Sequence, residues 1–339
     1  MQIKSETDIF TVPYVVFIRL LEACNARCYM CGFAGCKEEF EADITLLQSV
    51  IKQVVKLGIT EIRFTGGEPL LSDHLFCLLD YAQQYNLRTS LITNGILLKQ
   101  LSRPLVKNRL SKLICSIDAA EPLLHNRLRG INGAFEKAIS GLQEISCLRK
   151  EYNVPMLITV NTVVSKLNFS QLQELPKLLL DCGVSSWNII PIKDKPDLRL
   201  DHKDSQVFTE WLMRIKQIYN SDLHISAAEL LTPAREVTDR QRCHMVRAFA
   251  YIDIKNSIVS SCNCLIHRKN HPLNKESNLA SDLVTSWTDP EYQAYRNNYT
   301  RDQCEACDSI NQYLNREIDI AMQGGAAASD IKELLSKYA

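Results

Sequence analysis

The sequence predicts an α/β fold built on a parallel sheet, followed by a smaller α+β segment. Three observations predict it. Apolar, β-rich runs alternate with segments of helical period through roughly the first two hundred residues; the loops carrying glycine, cysteine and small polar residues all follow strands; and after about residue 220 the alternation gives way to a loop-rich stretch. Strands separated by helices pair in parallel through right-handed crossovers, so six such units form an open, incomplete barrel or a doubly wound sheet. In either arrangement ligands collect at the carboxyl ends of the strands.

Taken in order, residues 14–21 form the first strand, and residues 45–57 a helix with apolar Leu46, Leu47, Val50, Ile51, Val54 and Val55 on one side. Residues 61–64 form a short strand ending in Gly66-Gly67-Glu68-Pro69, residues 75–85 a helix, and residues 88–93 a strand closed by Asn94-Gly95. Strands at 113–117, 156–164 and 187–192 alternate with helices at 133–149 and 171–182. Beyond the barrel, residues 248–254 and 257–261 pattern as a hairpin, and a segment with so little core of its own needs a staple. The domain organisation expected is therefore a barrel over 1–222, a small stapled domain over 223–320, and over 321–339 a flexible tail with a short helix at 330–338.

Lysine plus arginine equals aspartate plus glutamate at 39 each, so no net field draws the chain to nucleic acid or an anionic membrane. No apolar run approaches the ~18 residues that span a bilayer, and Met1–Glu6 lacks a signal-peptide pattern, which predicts a cytoplasmic protein. Thirteen cysteines in a reducing compartment favour metal or cluster ligation over a disulfide framework.

Cys24, Cys28 and Cys31 follow the first strand as C-x3-C-x2-C. Three thiolates are one short of a closed set, and an incomplete set leaves a metal position open for a substrate or cofactor. The competing reading is zinc completed by Cys36 or a distant histidine, although zinc favours paired C-x2-C knuckles. In a 4Fe–4S cluster the open iron would need a chelating ligand; the glycine pair lets backbone approach a small polar ligand, and Glu68 can accept from an amine. A second set, Cys243, Cys262, Cys304 and Cys307, has the four thiolates that close a cluster or a zinc ribbon. Cys264 competes with Cys262, which ends the hairpin in register.

The triplet and Gly66-Gly67-Glu68-Pro69 together resemble the radical S-adenosylmethionine (SAM) superfamily, on a partial (β/α)6 barrel. The resemblance implies that the open iron binds the methionine end of SAM and that an electron from the reduced cluster yields a 5′-deoxyadenosyl radical. It implies SAM contacts from Gly66, Gly67, Glu68 and Pro69, from Ser116 and Asp118, from Arg129 to the carboxylate, and from Thr93, Asn94, Asn161 and Val163. Met30 stands where the family has an aromatic residue, so Tyr29 or Phe33 would substitute at the adenine. The later cysteines resemble the twitch domain, a shortened relative of the two-cluster SPASM domain, implying one auxiliary 4Fe–4S cluster. A one-electron donor such as flavodoxin or ferredoxin is implied as partner.

Residues 19–26, 62–70, 243–246 and 262–268 look like the cytosylglucuronate decarboxylases of nucleoside-antibiotic biosynthesis. That likeness implies a small polar substrate, a sugar, nucleoside or aminocyclitol, with decarboxylation, oxidation or epimerisation following hydrogen abstraction. Lys193, His267, Arg268, Arg19 and Glu22 are the candidate substrate contacts. A peptide-modifying radical SAM enzyme is the enzymatic alternative, disfavoured by the short segment before Cys24; a zinc-stabilised interaction protein is the non-enzymatic one.

Overall fold

A computed structural model describes residues 10, 12–32, 34, 36, 40–193, 195–219, 221–227, 242–263, 265–266, 270–303 and 309–338. The first half alternates strand and helix: β1 (Val15–Arg19), α1 (Ile44–Lys56), β2 (Glu61–Thr65), α2 (Leu75–Gln84), β3 (Arg88–Thr93), α3 (Leu98–Lys107), β4 (Lys112–Ser116), α4 (Pro122–Arg129), α5 (Ala134–Glu151) and β5 (Leu157–Val164). Then come α6 (Leu175–Asp181), β6 (Ser186–Pro191), α7 (His202–Tyr219), β7 (His224–Ala227), α8 (Met245–Ala248), β8 (Phe249–Asp253), β9 (Ile258–Ser260) and β10 (Asn274–Glu276). Four helices, α9 (Leu283–Thr288), α10 (Pro290–Asn298), α11 (Ser309–Gln323) and α12 (Ala328–Tyr338), complete the described chain.

Among the described residues one sheet of ten strands runs β10-β9-β8-β1-β2-β3-β4-β5-β6-β7. The α/β class and parallel pairing match the sequence, but the sheet is longer than six strands. β7, only four residues long, pairs parallel with β6 through Ser186 and His224, so the sheet crosses residue 222. The hairpin β8–β9 is not a separate unit: β8 pairs parallel with β1 from Val15 and Phe249 to Arg19 and Asp253. Its local alternation shows a hairpin; nothing local shows that its outer edge meets β1.

Strand alternation divides the sheet into two faces. Val16, Ile18, Ile62, Phe64, Leu91, Leu113, Val160 and Trp187 are buried in one apolar core with α1, α2, α5 and their neighbours. The other face carries Arg19, Thr65, Ser116, Asn161, Asn188 and Ser226, a polar row at the carboxyl ends of the strands. At the amino ends of the strands this face is charged: Arg63 is buried, pairs with Glu61 at 3.2 Å and lies 5.1 Å over the Phe17 ring. Buried Lys112 donates to the Ser336 carbonyl at 3.2 Å, and desolvation pushes its amine down to about 7.

The Ser336 contact belongs to α12, which lies where the sequence reading expects a short helix at 330–338. Its Ile331 and Leu335 are fully buried in a second apolar cluster with Phe10, Val15, Cys243, Phe249, Cys262 and Leu314. The amphipathic pattern finds its apolar partner at the amino end of the sheet. A cleft of about 470 Å³ remains between α12 and that end, lined by Tyr14, Thr60, Arg88 and Lys332 among others.

Candidate functional site

The cysteine loop leaves β1 and is seated by backbone. Gly67 donates its N–H to the Leu21 carbonyl and Glu68 to that of Ala23, each at 2.9 Å. A Cβ on Gly67 would lie 2.2 Å from the Ala23 oxygen, and one on Gly66 2.4 Å from the Leu21 oxygen. The glycine pair thus lets the end of β2 approach the loop that carries Cys24, a role the sequence reading gives instead to a bound ligand. From the other side Arg27 donates to the Arg129 carbonyl (2.9 Å) and Tyr29 to that of Leu128 (3.3 Å). Gly130, at φ +65°, ends α4 there, where a Cβ would meet the Arg27 oxygen at 2.3 Å.

Glu68 is buried and its carboxylate accepts from three groups: Leu70 N (3.1 Å), the Thr93 hydroxyl (2.7 Å) and Asn94 N (2.7 Å). Desolvation outweighs these donors and pushes it up to about 7. Asn94 donates through Nδ2 to Asn25 Oδ1 at 2.7 Å and lies 3.9 Å from Cys24 Sγ. Thr93 and Asn94 therefore brace β2 and β3 against the loop, and Pro69 opens a single 3-10 turn.

Asp118, just past β4, is fully buried: its side chain accepts from Val163 N at 2.9 Å and pairs with Arg129 at 2.8 Å. Burial raises the Asp118 carboxyl, with Arg129 opposing that rise. Arg129 Nη1 also approaches Cys28 Sγ at 3.6 Å. Ser116, Asn161, Asn188 and Ser226 form one row across β4–β7, with Asn188 Nδ2 donating to Asn161 Oδ1 at 3.0 Å. Asn188 Oδ1 is buried without a partner among the described residues, an acceptor that sequence reasoning missed because only strand pairing reveals the row. Half-buried Tyr29 donates to Ser165 at 2.9 Å, and Met30 beside it is also half-buried.

Burial pushes the Cys24 and Cys28 thiols up, and charge repulsion among Cys24, Cys28 and Cys31 adds to it. Among the described residues no three His, Cys, Asp or Glu side chains stand close enough to hold a metal ion, and along the loop Cys24 is half-buried, Cys28 buried and Cys31 exposed. The donor set nonetheless fits an iron–sulfur group: three thiols, with N–H donors at Ala26 (3.5 Å) and Asn94 on Cys24 and at Arg129 on Cys28, the contacts that stabilise thiolate charge.

Two of the candidate substrate contacts are engaged elsewhere. Arg19 pairs with Asp253 at 3.3 Å and Glu22 with Lys255 at 2.8 Å, so both join the cysteine-bearing end of β1 to the β8–β9 hairpin. Lys193 is half-buried just past β6. Cys243 and Cys262 are buried in the same apolar cluster, with Asn315 Nδ2 3.5 Å from Cys243 Sγ. Phe33, Cys264, His267, Arg268, Cys304 and Cys307 lie outside the described residues.

The family profile of the Radical SAM superfamily matches residues 18–179, from β1 into α6. That match takes in just under half of the 339-residue chain. Similar proteins include a probable GTP 3′,8-cyclase of Thermococcus kodakarensis, 28% identical over 170 residues, 49% of this chain and 53% of that one. An AdoMet-dependent heme synthase of Methanosarcina barkeri is 28% identical over 180 residues, 52% of this chain and 50% of that one. The chain thus spans about half the length of the curated relatives it matches. In fold, the chain is similar to Streptococcus suis SuiB bound to S-adenosylmethionine, with a TM-score of 0.69 and 17% identity, covering 90% of this chain and 74% of that one. The chain is also similar to anSMEcpe with bound AdoMet, with a TM-score of 0.64 and 16% identity, covering 95% and 100%. Among the described residues no helix is long and apolar enough to cross a membrane.

Proposed function

We propose that the chain is a radical SAM enzyme that cleaves SAM reductively and removes hydrogen from a small polar substrate. The observation that carries this reading is the seating of the three-cysteine loop against Gly66, Gly67 and Glu68, inside a segment that matches the superfamily. Cys24, Cys28 and Cys31 would hold the catalytic 4Fe–4S cluster. When bound, SAM and the reduced cluster supply a 5′-deoxyadenosyl radical by one-electron cleavage of the sulfur–carbon bond.

The chain's own tasks are to bind, orient and exclude water. Ser116, Asn161 and Val163, on the polar face of β4 and β5, and Thr93, which donates to Glu68, are the assigned SAM contacts, with Tyr29 or Met30 near the adenine. Cys243 and Cys262, with Cys304 and Cys307, would hold an auxiliary 4Fe–4S cluster; their support is the shared apolar cluster of the first two and the ladder contact between Arg242 and Thr300, four residues before Cys304. In this organisation residues 1–222 carry SAM and residues 223–320 the auxiliary group, with a flavodoxin- or ferredoxin-like protein as electron donor.

For the substrate, a sugar or nucleoside is the first candidate. The polar row, whose Asn188 oxygen has no partner among the described residues, suits a ligand rich in O–H or N–H donors. A peptide substrate is the second reading, because the similar SuiB and anSMEcpe structures include peptide complexes.

Anaerobic reconstitution followed by measurement of 5′-deoxyadenosine tests the class. The native chain forms it under reducing conditions and Cys28→Ala does not; absence of SAM cleavage by the fully reconstituted, reduced native chain rejects the reading.

A further inference from the structure

Among the described residues, Arg129 is the buried cation that touches a thiol of the first cysteine set. Its Nη1 lies 3.6 Å from Cys28 Sγ while its Nη2 lies 2.8 Å from Asp118 Oδ2. The guanidinium is firmly held: Asp118 is itself fixed by Val163 N on its carboxylate, by His125 Nδ1 on its N–H at 3.1 Å, and by Asn168 Nδ2 on its carbonyl at 2.7 Å. The main chain of Arg129 is tied to the same loop through Arg27 N. Two of the guanidinium's three nitrogens are thus committed to protein, and Nε is buried without a partner among the described residues. A side chain placed only to receive SAM's carboxylate has no need of the cysteine contact.

We propose that Arg129 is a positioning residue for the Cys28 ligand: it donates to the Cys28 sulfur and, restrained by Asp118, sets the reduction potential of the catalytic cluster. This rests on the radical SAM reading above. Reduction adds negative charge to a cluster, and a hydrogen-bond donor or cation on a ligating sulfur stabilises the reduced form and raises the potential. Asp118 opposes that effect by partly neutralising the cation. The two residues therefore have opposite signs, which a merely structural pair does not.

The test is a redox titration, followed by electron paramagnetic resonance, of the reconstituted full chain. The signal tracked is the one that changes when SAM is added. Arg129→Gln keeps a neutral donor and removes the charge, so the midpoint moves to lower potential; Asp118→Asn leaves the cation uncompensated, so the midpoint moves to higher potential. Iron content stays at the native level in both. Midpoints unchanged from the native chain, or shifted in the same direction, overturn the proposal. Should Arg129→Gln fail to fold, Asp118→Asn decides alone, an unchanged or lowered midpoint overturning it. A native chain with iron but no SAM-responsive signal rejects the underlying functional reading instead.

Discussion

Cys24, Cys28 and Cys31 ride on a loop clamped by main-chain hydrogen bonds and buried charge, whereas Cys243 and Cys262 sit in an apolar cluster shared with Leu314, Ile331 and Leu335. The first seat depends on atoms that must be missing, since any Cβ at Gly66 or Gly67 meets the backbone oxygens of Leu21 or Ala23. The second depends on volume that must be present. Steric exclusion is specific to a residue type, while packing accepts many side chains of about the right size. That difference explains why one region is recognised at a glance and the other only through its cysteines.

The strongest way to break the comparison is Gly67→Val. Its Cβ would fall 2.2 Å from a backbone oxygen that cannot swing away, so a cost of at least about 3 kcal/mol is expected, with loss of iron from the first site. Urea unfolding and iron analysis check it. Leu335→Ala strikes the second region: deleting a fully buried leucine from its cluster costs about 2–5 kcal/mol. It should lower the thermal midpoint while leaving SAM binding, measured by equilibrium dialysis, unchanged.

A third test sharpens the electrostatic half of the comparison. Glu68 is raised to about 7 from an ordinary 4.5 by burial, so the folded chain holds its proton more tightly than the unfolded chain. Its contribution to stability is complete below about pH 4.5 and is lost as pH rises through about 7. The stability advantage of the native chain over Glu68→Gln should therefore shrink across that window, by on the order of 3 kcal/mol. Urea midpoints of both chains at pH 4.5 and 7.5 measure it, and an unchanged gap rejects the assignment. The smallest effect belongs to Lys255→Ala, which removes a partly exposed pair with Glu22 and should cost under about 1 kcal/mol in thermal unfolding.

The cysteine spacing, the glycine pair and most strands are legible because each is a local pattern. Less is legible where the decisive partner is remote. α4 is short and charged, so hydrophobic period does not reveal it, yet Pro122 at its first turn, Glu121 capping it and Gly130 at its end are a start-and-stop signature. α3 carries Pro104 in its interior, which argues against a helix, and the helix accommodates it in its last turn. Arg129 reads as a ligand-binding residue in sequence because its partners, Asp118 and Cys28, lie eleven and 101 positions away. Arg19 and Glu22 read as available because their partners, Asp253 and Lys255, stand on the far side of the sequence.

The parallel pairing of β1 with β8 has a consequence for biogenesis. One edge of β1 is completed by β2, from the same early stretch, but the other must wait for Phe249–Asp253, 234 positions after the partner residues they meet. A ribosome delivers β1 long before β8, so the strand that launches the cysteine loop keeps an open edge until β8 emerges. A product cut short before β8 would carry the cysteine loop on a strand with one edge unpaired.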